Sequence, residues 1–315
     1  MILFVASIRA RQSLLSKTLG DRLTEPPSHL TPATAALLAE SSERRIKAIL
    51  SERWVLYPRA KHALDQLNRL VGHPRTTRMP SIAIFGDSGM GKTMIMHRFC
   101  AENPPGFDPE IGRERTPVLA LQMSGQPTER RLYAHILAAL GAPQGPRTDI
   151  TRLERSALSL LKAIGTQVLV IDEIHNILAG SHREQRIVLN ALRFLSNELR
   201  ISLVCFGVTD AREAIGGDVQ LARRFDELTL PRWSATTQYE ALIISILRNM
   251  PLREPSVLTA KSLRRILQVT EGLTALIFRM LNELAIEAAK TGVEQITDEA
   301  VERWKPTIEA EAAFS

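Results

Sequence analysis

The sequence predicts an α/β fold: a three-layer, doubly wound sheet of five parallel strands, followed by a small all-helical domain. Three observations carry this. Short apolar runs occur at about 81–85, 117–123, 166–171, 201–208 and 227–230. Segments with apolar residues at three- and four-residue steps alternate with them, so the strands need crossover helices and pair in parallel. From Trp233 onward the patterned segments keep the helical period.

The elements follow in order. Residues 1–30 show no clear period, and Glu25-Pro26-Pro27-Ser28 marks a loop. This stretch is expected to be a flexible N-terminal arm. Residues 31–232 are expected to form the α/β domain, with its own N-terminal helices. Those helices read from Ala35, Leu37, Leu38, Ile46, Ile49 and Leu50, and then from Ala60, Leu64, Leu67, Leu70 and Val71. Asn103 to Gly112 reads as a Pro- and Gly-rich loop, and 143–149 as a second, basic loop. Thr128 is a candidate N-cap, with Gly141 closing that helix. Leu153 to Ile164 and Arg183 to Arg200 read as helices. Residues 233–315 are expected to form a helical lid, with its long helix over Leu273 to Lys290.

Between the first strand and its helix lies Gly86-Asp87-Ser88-Gly89-Met90-Gly91-Lys92-Thr93, leading into Met94. The spacing fits G-x-x-x-x-G-K-[ST], a phosphate-binding P-loop. Glycines let the backbone approach a ligand with its N–H groups turned inward, and the helix that follows points its positive end at the same place. Lys92 suits the β- and γ-phosphates of ATP, and the Thr93 hydroxyl suits Mg²⁺. Eighty residues on, Val168 to Ile171 ends in Asp172-Glu173. Carboxylates at the C-terminal end of a buried parallel strand sit where such sheets place their ligands. Asp172 is the candidate to hold Mg²⁺ with Thr93. Glu173 is the candidate to polarise an attacking water, which points to hydrolysis.

Three further positions keep two readings each. Thr209, beyond the fourth strand, suits a γ-phosphate or water contact, or a helix cap. Arg223 and Arg224 suit a solvated helix end, or an arginine finger for a neighbouring subunit's nucleotide. Arg279, set among Leu276, Ile277, Phe278, Met280 and Leu281, suits a snorkelling arginine or a phosphate sensor.

Net charge is +6, and 32 of the 40 basic residues are arginine, whose planar fork suits phosphate. Nucleic acid is therefore the first partner class to consider. Apolar runs stay below the ~18 residues that span a membrane, so no membrane partner is expected. Met1 to Ile8 is apolar, but its arginines follow rather than precede it, unlike an export signal. With only Cys100 and Cys205, a cytoplasmic location is expected.

The order of P-loop, Asp172-Glu173, Thr209, Arg223/Arg224 and a helical lid with Arg279 resembles an AAA+ ATPase. More specifically, the chain resembles the TniB family of TnsC-like transposition regulators. Arg53-Trp54, Tyr57-Pro58-Arg59-Ala60, His73-Pro74-Arg75-Thr76 with Arg78-Met79-Pro80, Gly91 to Ile95, Glu129-Arg130-Arg131 and Asp172 to Asn176 carry that likeness over about residues 30–305. It implies an ATP-dependent protein that forms rings or filaments on double-stranded target DNA. It also implies recruitment of a DDE transposase and contact with a TniQ-type adaptor. On this reading Val55, Tyr57 and Pro58 lie near the adenine, Thr209 is the first sensor, Arg279 the second, and Arg223 or Arg224 the finger. Candidate DNA contacts are Arg113, Arg115, Arg130, Arg131 and Arg147. Two other readings compete: a helicase-loader ATPase, and a nucleotide-switched signalling protein that does not bind DNA.

Overall fold

The computed structural model describes residues 29–306, apart from 110–111, 124, 126–127 and 217–218. Nearly all of the expected N-terminal arm lies outside the described residues. The apolar runs form strands β1 (Ser81–Gly86), β4 (Val118–Gln122), β5 (Val168–Asp172), β6 (Ser202–Gly207) and β7 (Phe225–Leu230). They make one parallel sheet in the order β4-β5-β6-β1-β7. The strands β1, β5 and β6 are buried at every position, as the inner three of five must be. The edge strand β7 is largely exposed and carries Asp226 and Glu227, charges that protect an edge from further pairing.

Side chains alternate between the two faces of the sheet. Ala83, Phe85, Leu119, Leu121, Leu169, Ile171, Leu203 and Cys205 share one core cluster with helices Glu129–Ala139, Ile150–Ala163 and His182–Leu199. The alternate residues Ile82, Ile84, Val168, Val170, Val204 and Phe206 are buried as well. Both faces are therefore covered, which explains why the strands read as unbroken apolar runs. The helices start where the side chains allow. Thr128 accepts from the Arg131 N–H at 3.2 Å, and Ser181 and Glu184 form a reciprocal capping box.

The segment read as a loop after the P-loop helix contains a two-stranded antiparallel ribbon, β2 (Gly106–Asp108) with β3 (Arg113–Arg115). Three-residue strands are too short to show a period. The Arg115–Asp108 ion pair, at 3.0 Å, closes the ribbon.

By its contacts the chain forms two units. The α/β unit comprises residues 56–238 and 270–276. The helical unit comprises 29–55, 239–269 and 277–306 of the described chain. The sequence reading grouped 31–55 with the α/β domain, whereas in the structure their contacts run to the C-terminal helices. The Thr31 N–H donates to the Arg248 carbonyl at 3.0 Å, and Ser42 Oγ to that of Ala289 at 3.3 Å. Arg45, 3% exposed, donates to both carboxylate oxygens of Glu294, at 2.7 and 2.5 Å, and to the Pro251 carbonyl at 2.9 Å. One guanidinium thus ties together the three segments of this unit.

Arg45 also holds the Glu294 carboxyl below its ordinary range. The unfolded chain therefore binds more protons near the normal glutamate pKa of ~4.3, so the pair's stabilisation is complete above that pH and is lost as pH falls through the lower folded value. Glu294→Ala should cost about 3 kcal/mol at neutral pH, because it strands a buried guanidinium. The variant's deficit should shrink as pH falls below ~4. Urea unfolding of both proteins at pH 7 and pH 3.5 checks this. An equal deficit at the two pH values would remove the pair from that role.

Candidate nucleotide-binding site

The P-loop connects β1 to helix Lys92–Glu102. Gly91 caps that helix at φ 88°, ψ 16°, a left-handed conformation that favours glycine, and no side chain caps it there. Gly86 is fixed by packing, since an added Cβ would lie 2.8 Å from the Leu230 carbonyl oxygen. Met90 is buried, Ser88 and Thr93 are exposed, and Met94 is half-buried. Lys92 is only 6% exposed, and its ammonium donates to the Gly86 and Asp87 carbonyls at 2.7 and 3.0 Å. Burial lowers its pKa, while Glu173, Asp172 and Asp87 act to keep it charged.

The sheet order brings the acids to this loop. β6 pairs with both β1 and β5, so the C-terminal ends of all three strands lie side by side. Asp172, 5% exposed, has Oδ2 at 3.4 Å from Thr93 Oγ1, and its Oδ1 accepts from the Glu173 N–H at 2.9 Å. A hydroxyl and a carboxylate at this separation are hard oxygen donors of the kind Mg²⁺ takes. Glu173 adopts a left-handed backbone, φ 54°, ψ 42°, unusual for a side-chain-bearing residue. Its Oε2 lies 3.0 Å from His175 Nδ1. Thr209 is exposed just beyond β6, the strand between the loop and the acids. Its carbonyl accepts from the Arg212 N–H at 3.2 Å, opening helix Ala211–Gly216.

Tyr57 is buried and meets Trp233 edge-to-face, with ring centroids 5.6 Å apart. Its hydroxyl lies 3.5 Å from where a Gly91 Cβ would stand, and burial pushes its pKa up to about 12. Pro58 is exposed at the start of helix Pro58–Asn68.

Val55 is buried and belongs to the helical unit, as does Arg279. Arg279 Nε lies 3.1 Å from Glu283 Oε1, one turn along its helix. Arg224 donates to Asn197 Oδ1 at 2.7 Å, and Arg223 is exposed.

The five candidate DNA contacts fall on three segments. Arg113 and Arg115 sit on β3, and Arg115 is held by Asp108. Arg130 and Arg131 open helix Glu129–Ala139, and Arg147 is exposed on the loop that follows it. Arg130 donates to the Pro146 and Thr148 carbonyls at 3.4 and 2.6 Å, clasping that loop on both sides of Arg147.

The model of the bacterial TniB protein family matches residues 45–235. The chain belongs to the TniB family. No curated protein matches it in sequence. Among solved structures, ORC2 of Aeropyrum pernix, in ADPNP–ADP complexes, is 14% identical with a TM-score of 0.57, covering 85% of this chain and 73% of that one. CDC6P of Pyrobaculum aerophilum is 17% identical with a TM-score of 0.58 and the same coverages. The Drosophila ORC bound to DNA is 15% identical with a TM-score of 0.53, covering 89% of this chain and 67% of that one. At such identities these likenesses carry the fold alone: a parallel sheet with helices and a C-terminal helical region.

Sequence reasoning gave no site role to several residues around this TniB loop. Arg232 pairs with Asp87 at 2.6 Å and with Glu271 at 3.0 Å. Arg59 stacks on Trp233, 3.8 Å above the ring centroid, and donates to the Pro231 carbonyl at 2.7 Å. His175 could have been suspected from its place two residues after Glu173. Arg232 has no comparable local signal. The packing at Gly86 gives a direct check: Gly86→Ala should push β1 away from β7 and cost about 1–3 kcal/mol. Thermal unfolding measures it, and an unchanged midpoint would contradict the tight contact.

Proposed function

We propose that this TniB-family chain is an ATP-dependent, DNA-binding AAA+ ATPase. On this reading it oligomerises on double-stranded target DNA and recruits or activates a DDE transposase, with a TniQ-type adaptor as a further partner. The observation that carries the ATPase part is the approach of Thr93 to Asp172, beside a buried Lys92, at the head of two parallel strands that flank a third.

The mechanism follows from these side chains. Lys92 is already desolvated and aimed into the loop, so phosphate oxygens can replace the Gly86 and Asp87 carbonyls around its ammonium. Thr93 and Asp172 would hold Mg²⁺, which supplies neutralising charge to the phosphates when bound. Glu173 follows Asp172 directly, with His175 Nδ1 3.0 Å from its carboxylate, and is suited to draw a proton from water. Thr209 follows the end of the middle strand, β6, and is suited to the γ-phosphate or that water. Tyr57 stands against the loop, and Val55, Tyr57 and Pro58 form the adenine side of this reading. Arg223 or Arg224 serves a neighbouring subunit's nucleotide, and Arg279 senses phosphate from the lid.

Membership of the TniB family supports the DNA part, as does the likeness to the origin-recognition complex of Drosophila, which is bound to DNA in its structure. Arg147, on a loop clasped by Arg130, can meet backbone phosphates without reading bases.

Lys92→Ala should abolish ATP binding in a fluorescent-analogue titration, and normal binding would remove the loop from this role. Glu173→Gln should bind normally but lose roughly 100-fold or more in turnover, trapping the assembled state. Unchanged phosphate release would exclude Glu173 as the base.

For DNA, duplex binding is followed by electron microscopy and titration with an ATP analogue, ADP or no nucleotide, over a salt series. Regular rings or filaments are expected only with the analogue, with affinity falling steeply with salt. Arg147→Ala should lower the salt slope by about one. Failure to bind DNA in every nucleotide state would overturn the assembly reading and favour a protein-only switch.

A further inference from the structure

Around the P-loop the charge balance runs against a polyphosphate. Three carboxylates, Asp87, Asp172 and Glu173, act on the one ammonium of Lys92. Two of them have work in the proposed function, one with Mg²⁺ and one with water. Asp87 has none. It is the second residue of the loop, and a bare carboxylate there repels the phosphates the loop is shaped to receive.

Arg232 stands against it. Its Nε lies 2.6 Å from Asp87 Oδ2, and its Nη1 lies 3.0 Å from Glu271 Oε2. A guanidinium is a permanent cation, and these two bonds raise its pKa further. The backbone fixes where it stands. Gly86 is the register partner of Leu230, so Asp87 is one residue and Arg232 two residues past a locked strand pair. Trp233, the next residue, is held on several sides. Its N–H donates to the Gly272 carbonyl at 2.9 Å, and its Nε1 to Thr274 Oγ1 at 2.9 Å. Arg59 stacks on its ring, and Gly272 packs so closely that a Cβ would lie 2.4 Å from the Trp233 carbonyl oxygen. The same turn reaches the loop directly, with the Ala275 N–H donating to the Gly89 carbonyl at 2.8 Å. The Arg232 side chain is exposed, but the backbone that carries it is held on both sides of the loop.

We propose that Arg232 is a positioning residue of the P-loop: it holds Asp87 in an ion pair shared with Glu271 and offsets its charge, so that the loop meets phosphates against less opposing charge. The inference rests on the nucleotide reading of this loop. A missing Arg232 exposes the Asp87 charge, and the penalty grows with the negative charge of the ligand. A purely structural role would weaken all nucleotides alike.

The test is the Kd of an ATP analogue and of ADP, in one Mg²⁺ buffer, for the intact protein, Arg232→Gln, Arg232→Lys, Lys92→Ala and the double variant Arg232→Gln/Asp87→Asn. Circular dichroism and thermal unfolding confirm that each is folded. Arg232→Gln should weaken the triphosphate about tenfold and ADP about threefold, and less at high salt. Arg232→Lys should keep most of the affinity. Asp87→Asn in the Arg232→Gln background should restore both affinities to within about twofold, since it removes the charge that needed neutralising. Wild-type affinities in Arg232→Gln, or an equal loss for both nucleotides without rescue by Asp87→Asn, would overturn the inference while leaving the P-loop reading intact. No nucleotide binding by the unaltered protein, or binding that survives Lys92→Ala, would overturn that reading and this inference with it.

Discussion

The parallel pairing of β6 with both β1 and β5 is the constraint on which the α/β unit depends. The P-loop and the Asp172-Glu173 pair are far apart in the chain, and their strands are not neighbours. Only a strand inserted between them, in parallel, sets their C-terminal ends level and lets Thr93 reach toward Asp172. Parallel pairing requires crossover helices, and those helices bury both sheet faces. The buried faces in turn require unbroken apolar strands. Sequence composition, topology and site geometry are thus one requirement seen at three levels.

That linkage explains what was legible. The inner strands β1, β5 and β6 could be read because burial on both faces leaves no polar alternation to obscure them. The P-loop could be read because backbone geometry dictates its glycines. The acids could be read because a charge ending an apolar run marks a strand's C-terminal edge. Thr128 and Gly141 were legible as helix ends because capping chemistry is local.

What was missed is non-local or too short. The β2–β3 ribbon has three residues a side, below the length at which alternation means anything. The helices over 31–55 showed an apolar face, but a face does not name its partner. Arg45 reaches Glu294 across 249 positions, and that pairing decides which unit the segment joins. Arg232 meets Asp87 across 145 positions. Arg279 is the reverse case. Glu283 stands four residues on, at the spacing of a helical ion pair, yet the apolar neighbours drew the reading toward a lone arginine.

Lys92 shows why such distant charges matter to a loop whose shape is locally encoded. An ammonium 6% exposed has given up most of its water, and in this structure two loop carbonyls replace part of that shell. Carbonyls are neutral, so they compensate desolvation less well than an anion does. Burial accordingly lowers the lysine's pKa, against the pull of the nearby carboxylates. The site is thereby biased toward an incoming anion before one arrives, because phosphate oxygens offer the buried ammonium more than the carbonyls do. A carboxylate in the same loop would erode that bias by competing for the same charge. An arginine fixed beside the carboxylate, on a backbone locked to the loop's own strand, preserves it. The glycines and the lysine make the cradle, and a residue just past the edge strand paired with β1 sets the charge that the cradle presents.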